Sequence, residues 1–444
     1  MAAVTRQIPL SNGLRPSTRV RESNGSSEHD KRRPTSRGQQ RIQVVYGELI
    51  VLGYNGSLPK GDDGRHRSKF VLQRRRSPNG VKVVGQRDCV RPTEALKDKA
   101  THSIAMTLSR EKTVVIDYDG DQSTDMFQIG RSSDPVIDFI VLDTVADCKS
   151  VKQSIVNQST VSRYACRIVC DRDPPYTARL HAAGFDGQNR IVLGENATKW
   201  KRKDGMMDAL TTNGVMLLRP DMGFEPSSKP GLWREVSVAG DIFTLRKSRS
   251  DRERGKPCTG NGESNILTDG CLIDVCGATL LWRSSISRSQ TPSDSQVHDL
   301  KKKLNDSRPQ CPVGLNTLQF PSVSNSAGGQ EVTPYAYLKC GHVHGRHSWG
   351  VDVGGDFMRR TCPVCRQVGP YVQLRFGMES SFYLDTDSQT YSFVPCGHVA
   401  SESTVKYWNR IPIPYGPDEQ LVRCPFCIFP VMGDPGYVKL LWDK

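Results

Sequence analysis

The chain has 444 residues, 36% of them hydrophobic and 24% charged, and a formal charge of +14. That length allows about three domains with cores of their own. No apolar stretch reaches the roughly 20 residues of a membrane span, since Cys271–Trp282 is too short and is interrupted by Asp274. The 14 cysteines suit a reducing compartment better than a disulfide scaffold. The N-terminus lacks an apolar signal core, so the expected location is cytoplasmic.

The positive charge raises nucleic acid as a partner. Its basic runs, Lys31–Arg33, Arg74–Arg76, Lys199–Lys203 and Lys301–Lys303, are scattered rather than gathered into one aromatic-studded surface. They read as solvated faces first and as docking points for acidic proteins second. No nucleic-acid partner is expected.

Residues 1–40 are rich in Ser, Arg, Gly and Asn with little to bury, which predicts a disordered basic tail. From residue 41 to 285 the apolar residues come in short runs: Ile42–Tyr46, Leu49–Leu52, Phe70–Leu72, Val81–Val84, Ile104–Leu108, Val114–Tyr118 and Phe127–Ile129. Val136–Leu142, Tyr164–Val169, Thr177–Ala183, Ile191–Leu193, Val215–Leu218, Val236–Leu245 and Leu272–Trp282 follow, with turn signals such as Ser77-Pro78-Asn79-Gly80 between runs. Many short strands without a helix predict an antiparallel sandwich. Its size requires long insertions, Asp171–Gly205 among them, or a second β unit.

Three turns in this region carry hydrogen-bond donors suited to a phosphate dianion. They are Gly130-Arg131-Ser132, the segment Ser159–Tyr164 with Ser162 and Arg163, and Thr211-Thr212-Asn213-Gly214. Each alone is also an ordinary turn, Asn-Gly being a common hairpin signal.

Residues 286–310 read as a linker with one short helix: Val297, Leu300 and Leu304 recur at helical spacing behind Ser293 or Ser295, and Pro309 ends the pattern. Beyond it, residues 311–444 hold a repeat. Cys340-Gly341-His342-Val343 is answered by Cys362-Pro363-Val364-Cys365, and Cys396-Gly397-His398-Val399 by Cys424-Pro425-Phe426-Cys427. Cys-x-x-Cys aims two sulfurs at one point, and Cys-x-His aims a sulfur and an imidazole nitrogen. Two such pairs complete the tetrahedron of a structural zinc site. One pair could be chance or redox chemistry, but eight ligand-type residues in the same order twice point to two structural zinc ions. Three cysteines and a histidine leave no position for a reactive water. Sequential grouping puts Cys340, His342, Cys362 and Cys365 in one site and Cys396, His398, Cys424 and Cys427 in the other. An interleaved cross-brace of the same residues stays open. His344 and His347 align with Ala400 and Ser403 in the second copy, so they are read as outside the ligand set. Cys311, in Cys311-Pro312-Val313-Gly314, has no partner in the repeat and is read as a packed thiol.

These halves resemble the second metal site of RING domains, and in tandem they resemble the RING-like domain of the Pellino family of ubiquitin ligases. Tyr337–Leu338, His342–Gly345, Gly369-Pro370-Tyr371-Val372 and Tyr407–Trp408 agree, as do Tyr46–Pro59, Thr124–Arg131, Tyr164–Arg172 and Ala182–Asp186 upstream. The resemblance implies a mainly β protein: a forkhead-associated (FHA) sandwich with an inserted wing, including much of Asp171–Gly205, followed by the small zinc-stabilised RING-like domain.

It further implies a phosphothreonine site of Arg131, Ser162, Arg163, Thr212 and Asn213. Ala165 departs from the histidine that many such domains carry after the Ser-Arg pair. The implied enzyme is a ubiquitin-protein ligase with no nucleophile of its own, contacting a ubiquitin-conjugating enzyme and ubiquitin through Pro363, Val364, Arg366, Pro425 and Phe426. Arg366 is equally readable as a solvated arginine. The implied substrates are phosphorylated interleukin-1-receptor-associated kinases of Toll-type signalling. The alternative is a non-enzymatic phosphopeptide-binding adaptor. Thr317 and Ser322, between the two halves, are candidate regulatory phosphosites.

Overall fold

Leu49 and Val51 point to one side of the first strand and Ile50 and Leu52 to the other, and all four are fully buried. A strand alternates its side chains between two faces, so the sheet that contains it must be covered on both. The architecture follows from that requirement. The computed structural model describes residues 43–56, 66–89, 100–144, 159–249, 251–260, 262–321, 332–350, 359–415 and 419–443. The expected tail and Ser322 lie outside the described residues.

The central sheet has seven antiparallel strands. Their spatial order is β15 (Ile242–Thr244), β14 (Trp233–Val236), β13 (Met216–Leu218), β16 (Leu272–Asp274), β17 (Thr279–Ser284), β1 (Val45–Val51) and β2 (Lys69–Gln73). Its inner face, with Leu49, Val51, Leu217, Ile273, Leu280 and Trp282, packs in one core with a second sheet. That sheet runs β7 (Phe139–Ile140), β6 (Thr124–Gly130), β8 (Cys166–Asp171), β9 (Ala178–Ala182). This is the expected sandwich. Leu272–Trp282 is two strands, because Cys276 and Gly277 turn between them with positive φ, and Val236–Leu245 likewise divides between β14 and β15.

A third sheet extends the same core in the order β10 (Arg190–Leu193), β4 (His102–Ser109), β5 (Lys112–Asp121), β3 (Gly80–Cys89). Three of its strands come from residues 80–121, upstream of the stretch expected to be inserted. That stretch supplies β9 to the second sheet, β10 to the third, and β11 (Thr198–Lys201), which pairs with β12 (Met207–Leu210).

The outer face of the seven-stranded sheet carries Ile50, Leu52, Met216, Leu218, Trp233, Leu272 and Leu281, and these are buried against the C-terminal part of the chain. Burying each such side chain contributes about 1.5–3 kcal/mol. Helix α1 (Asp294–Asp306) leads into that part. Its cap is Ser293, whose Oγ accepts from Gln296 N while Gln296 Oε1 accepts from Ser293 N, a reciprocal capping box. Val297 joins the cluster on the sheet's outer face and Leu304 packs on the next one, so the helix is the docking helix its spacing predicts.

The C-terminal part contains two similar units of short strands. The first has β18 (Tyr335–Tyr337) and β19 (Val343–His344) with β22 (Tyr371–Gln373), and the small ribbon of β20 (Arg360–Thr361) with β21 (Val368–Gly369). The second has β23 (Arg375–Phe376), β25 (His398–Ala400), β24 (Tyr391–Phe393) and β28 (Tyr437–Lys439) in one sheet, and the ribbon of β26 (Pro412–Tyr415) with β27 (Glu419–Val422). Among the described residues, only the second has a helix after its histidine, α2 (Glu402–Trp408), capped by Ser401.

Candidate functional site

Each unit builds the same pair of turns. The Cys-Gly-His turn closes onto a strand carbonyl: Cys340 N and Gly341 N donate to Tyr337 O, and Gly397 N donates to Phe393 O. The glycines are required there. Gly341 and Gly397 have φ of 82° and 78°, and an added Cβ would come 1.9 Å from Lys439 O and 2.3 Å from Gln373 O. The Cys-Pro-x-Cys turns also match. Arg366 N donates to Cys362 O and Ile428 N to Cys424 O, and both residues have positive φ.

These turns bring Cys340, His342, Cys362 and Cys365 together, and separately Cys396, His398, Cys424 and Cys427, with all donor atoms of a group within 4.8 Å of one another. The grouping is sequential, not interleaved. His342 Nδ1 lies 3.3 Å from Cys340 Sγ and 3.7 Å from Cys362 Sγ, and His398 Nδ1 lies 3.4 Å from Cys396 Sγ and 3.6 Å from Cys424 Sγ. A tetrahedral ion with metal–sulfur bonds of about 2.3 Å and metal–nitrogen bonds of about 2.0–2.1 Å has sulfur–nitrogen edges of about 3.5 Å. The donors therefore fit one metal ion per cluster. Burial pushes the Cys340 thiol up to about 12. Burial also works against a thiolate at Cys396, but the thiols of Cys424 and Cys427 and the His398 N–H hold it well below the usual thiol range. Metal ligation displaces such protons.

His344 is fully buried beside the first cluster, 3.9 Å from Cys362 Sγ and edge-on to Tyr337, yet outside the ligand set. Arg360 Nη2 ties the neighbouring loop by donating to His347 O and Trp349 O. Cys311 is buried, accepts from Gly314 N and joins neither cluster. Its loop repeats the metal-loop turn, with Leu315 N donating to Cys311 O at positive φ and a glycine in place of the second cysteine. Thr317 is half-buried and bridges Gln310 within the C-terminal part.

The surroundings of the two metal loops differ. In the first, Val364 is 51% exposed, Val368 is 42% exposed and Arg366 lies over the Trp349 ring at 5.1 Å. Pro363 is half-buried. In the second, Phe426 is 3% exposed, packed against Tyr383, Phe382 and His398. Pro425 is buried too, and its carbonyl accepts from Gly53 N of the sandwich at 2.8 Å. Pro425 and Phe426, expected to contact an external protein, are thus buried within this chain. Their loop already faces the outer side of the seven-stranded sheet.

At one end of the sandwich the three turns meet. Arg131 N donates to Ser162 O and Ser132 N to Arg163 O, while Arg131 Nε donates to Val161 O. Asn213 Nδ2 reaches across to Thr160 O and Ser162 Oγ. Arg131, Arg163 and Thr212 are exposed around this crossing. Residues invisible to motif reading hold it. Asp143 Oδ1 accepts from Thr160 N and Val161 N. Arg249, paired with Asp274, donates to Asn213 O, and Arg246, paired with buried Glu235, donates to Thr211 O. Only the tendency of buried charges to be paired could have flagged them.

Two family profiles match the chain. The family profile described as Pellino, FHA domain matches residues 37–300, and Pellino, RING domain matches residues 304–444. The human E3 ubiquitin-protein ligase pellino homolog 2 is 51% identical over 402 residues, covering 90% of this chain and 95% of that protein. Mouse E3 ubiquitin-protein ligase pellino homolog 3 is 48% identical over 403 residues, 90% of each chain. Protein pellino of Drosophila melanogaster is 49% identical over 409 residues, 91% of this chain and 95% of that one. Among the described residues no helix is long and apolar enough to cross a membrane.

Proposed function

The chain belongs to the Pellino family of ubiquitin-protein ligases, and from that premise we propose that its sandwich binds a phosphothreonine of the substrate while its C-terminal part presents a ubiquitin-conjugating enzyme. The observation that carries this reading is the crossing of three turns at Arg131, Ser162 and Asn213. A phosphothreonine brings about −1.5 to −2 charge and three acceptor oxygens. Arg131 supplies charge-assisted hydrogen bonds. Ser162, Thr212 and Asn213 orient the phosphate, and Arg163 adds positive potential. The substrates this fits are phosphorylated receptor-associated kinases of the Toll and interleukin-1 pathways, met in the cytoplasm.

The transfer itself needs no nucleophile from this chain, because the thioester between conjugating enzyme and ubiquitin already stores the reaction free energy. The ligase contributes proximity and orientation, which can be worth several kcal/mol of barrier. Two zinc ions, one per cluster, supply rigidity to a part of the chain built from strands of two to four residues. Pro363 and Val364 offer the conjugating enzyme an apolar contact, and Arg366 stands beside them for ubiquitin.

The test is titration of a phosphothreonine peptide alongside a transfer assay with purified activating and conjugating enzymes. Arg131→Ala should lose peptide affinity and keep substrate-independent autoubiquitination, and Cys362→Ala should do the reverse. Equal peptide binding by Arg131→Ala would move the phosphate site elsewhere. A wild-type chain that bound peptide and transferred no ubiquitin would be an adaptor.

A further inference from the structure

The two metal loops start from one local design, and one of them is used up inside the molecule. Pro425 O receives the Gly53 N–H, and a Cβ on Gly53 would stand 2.5 Å from Ile428 Cγ1. Gly53 has φ of 72°, so the sandwich approaches this loop more closely than a side chain permits. Around that point Trp233 Nε1 donates to Pro412 O at 2.7 Å. Phe224 meets Tyr407 and Trp408 edge-on, with centroids 5.0 and 5.7 Å apart. The contact is apolar, buried and hydrogen-bonded at its centre, which is how a permanent interface is built rather than a transient one.

We propose that the second metal loop is a positioning element for ubiquitin transfer. It locks the phosphothreonine-binding sandwich to the ligase part, leaving only the first loop to take the conjugating enzyme. This rests on the ligase reading above. A substrate held on a flexible tether meets the thioester at an effective concentration of the order of mM. A substrate held at fixed distance and orientation gains beyond that, because the rotational freedom has already been removed. The lock therefore decides which substrate lysines are reached, and how fast, without touching phosphate or conjugating enzyme.

The test uses the full chain and a synthetic phosphothreonine peptide carrying one lysine, with a ubiquitin-charged conjugating enzyme. Gly53→Leu drives a side chain into Ile428, and Phe224→Ser removes the ring between the two parts from a loop outside both sites. Three readouts are taken: peptide Kd, discharge of the charged enzyme to free lysine, and kcat against KM for the peptide lysine. Hydrogen exchange at residues 50–55 and 411–415 reports whether the lock has opened. We expect faster exchange, Kd and free-lysine discharge within twofold of wild type, and kcat for the peptide lysine lower by tenfold or more at unchanged KM. Faster exchange with unchanged kcat overturns the positioning role. Unchanged exchange in both variants overturns the assignment of the lock to this contact. If Gly53→Leu loses peptide binding, its sandwich is damaged and Phe224→Ser decides by the same criteria. Absence of free-lysine discharge by the wild-type chain would instead remove the ligase reading itself.

Discussion

The first and second metal loops share a Cys-Pro-x-Cys turn, a positive-φ residue after it and a matching Cys-Gly-His turn opposite. They differ in what lies outside. Val364 faces solvent, whereas its counterpart Phe426 is enclosed by aromatic rings, and the neighbouring Pro425 carbonyl takes a hydrogen bond from the sandwich. Local sequence sets the geometry of each Cys/His cluster, and the neighbouring sheet decides which loop stays exposed. A repeat can therefore keep the same donor set in both copies while their surroundings differ.

The largest expected effect comes from removing metal. Structural zinc contributes on the order of 10 kcal/mol to folding of small domains. Cys424→Ala should empty the second site, uncover Ile50, Leu218 and Leu281 and produce binding of a hydrophobic dye. Cys362→Ala should lose one zinc without uncovering that face. Elemental analysis of the wild type should give two zincs per chain, and fewer would break the comparison at its root.

Next comes the matched pair inside the loops. Phe426→Ala should cost about 3–5 kcal/mol, as large-to-small changes of buried aromatics do. Val364→Ala should stay within about 0.5 kcal/mol of wild type while weakening conjugating-enzyme binding. Denaturant titration of both variants measures the contrast, and equal losses would mean that the two loops are equally buried.

The phosphate turns should respond independently of either loop. Arg131→Ala removes a charged hydrogen bond worth about 1.5–3 kcal/mol, a loss of roughly ten- to hundredfold in peptide affinity. Asn213→Ala removes a neutral one, worth about 0.5–1.5 kcal/mol, and should cost up to roughly tenfold. Calorimetric titration gives both numbers, and neither variant should change zinc content.

The two Cys/His clusters were legible because their spacing repeats, and the sandwich because its apolar runs are short and evenly punctuated. Helix α1 was legible from Ser293, Val297 and Leu304. The burial of Pro425 and Phe426 was not, since exposure belongs to the tertiary neighbour and leaves no mark in a four-residue motif. A hint existed elsewhere. Leu49–Leu52 is apolar without alternation, the pattern of a strand covered on both faces. What covers the second face cannot be read from the strand itself. Strand β11 was missed because Lys199-Trp200-Lys201 reads as a charge run. The ion pairs Glu235–Arg246 and Arg249–Asp274, which hold the third turn, were missed because their partners come from separate elements.

The division of labour between the loops is tested most directly by hydrogen exchange on the full chain with and without a saturating conjugating enzyme. Residues 362–368 should exchange more slowly in the complex than alone. Residues 424–429 should be protected in both, because the sandwich already covers them. Protection that appeared at 424–429 on adding the enzyme, with 362–368 unchanged, would contradict the assignment and exchange the roles of the two metal loops.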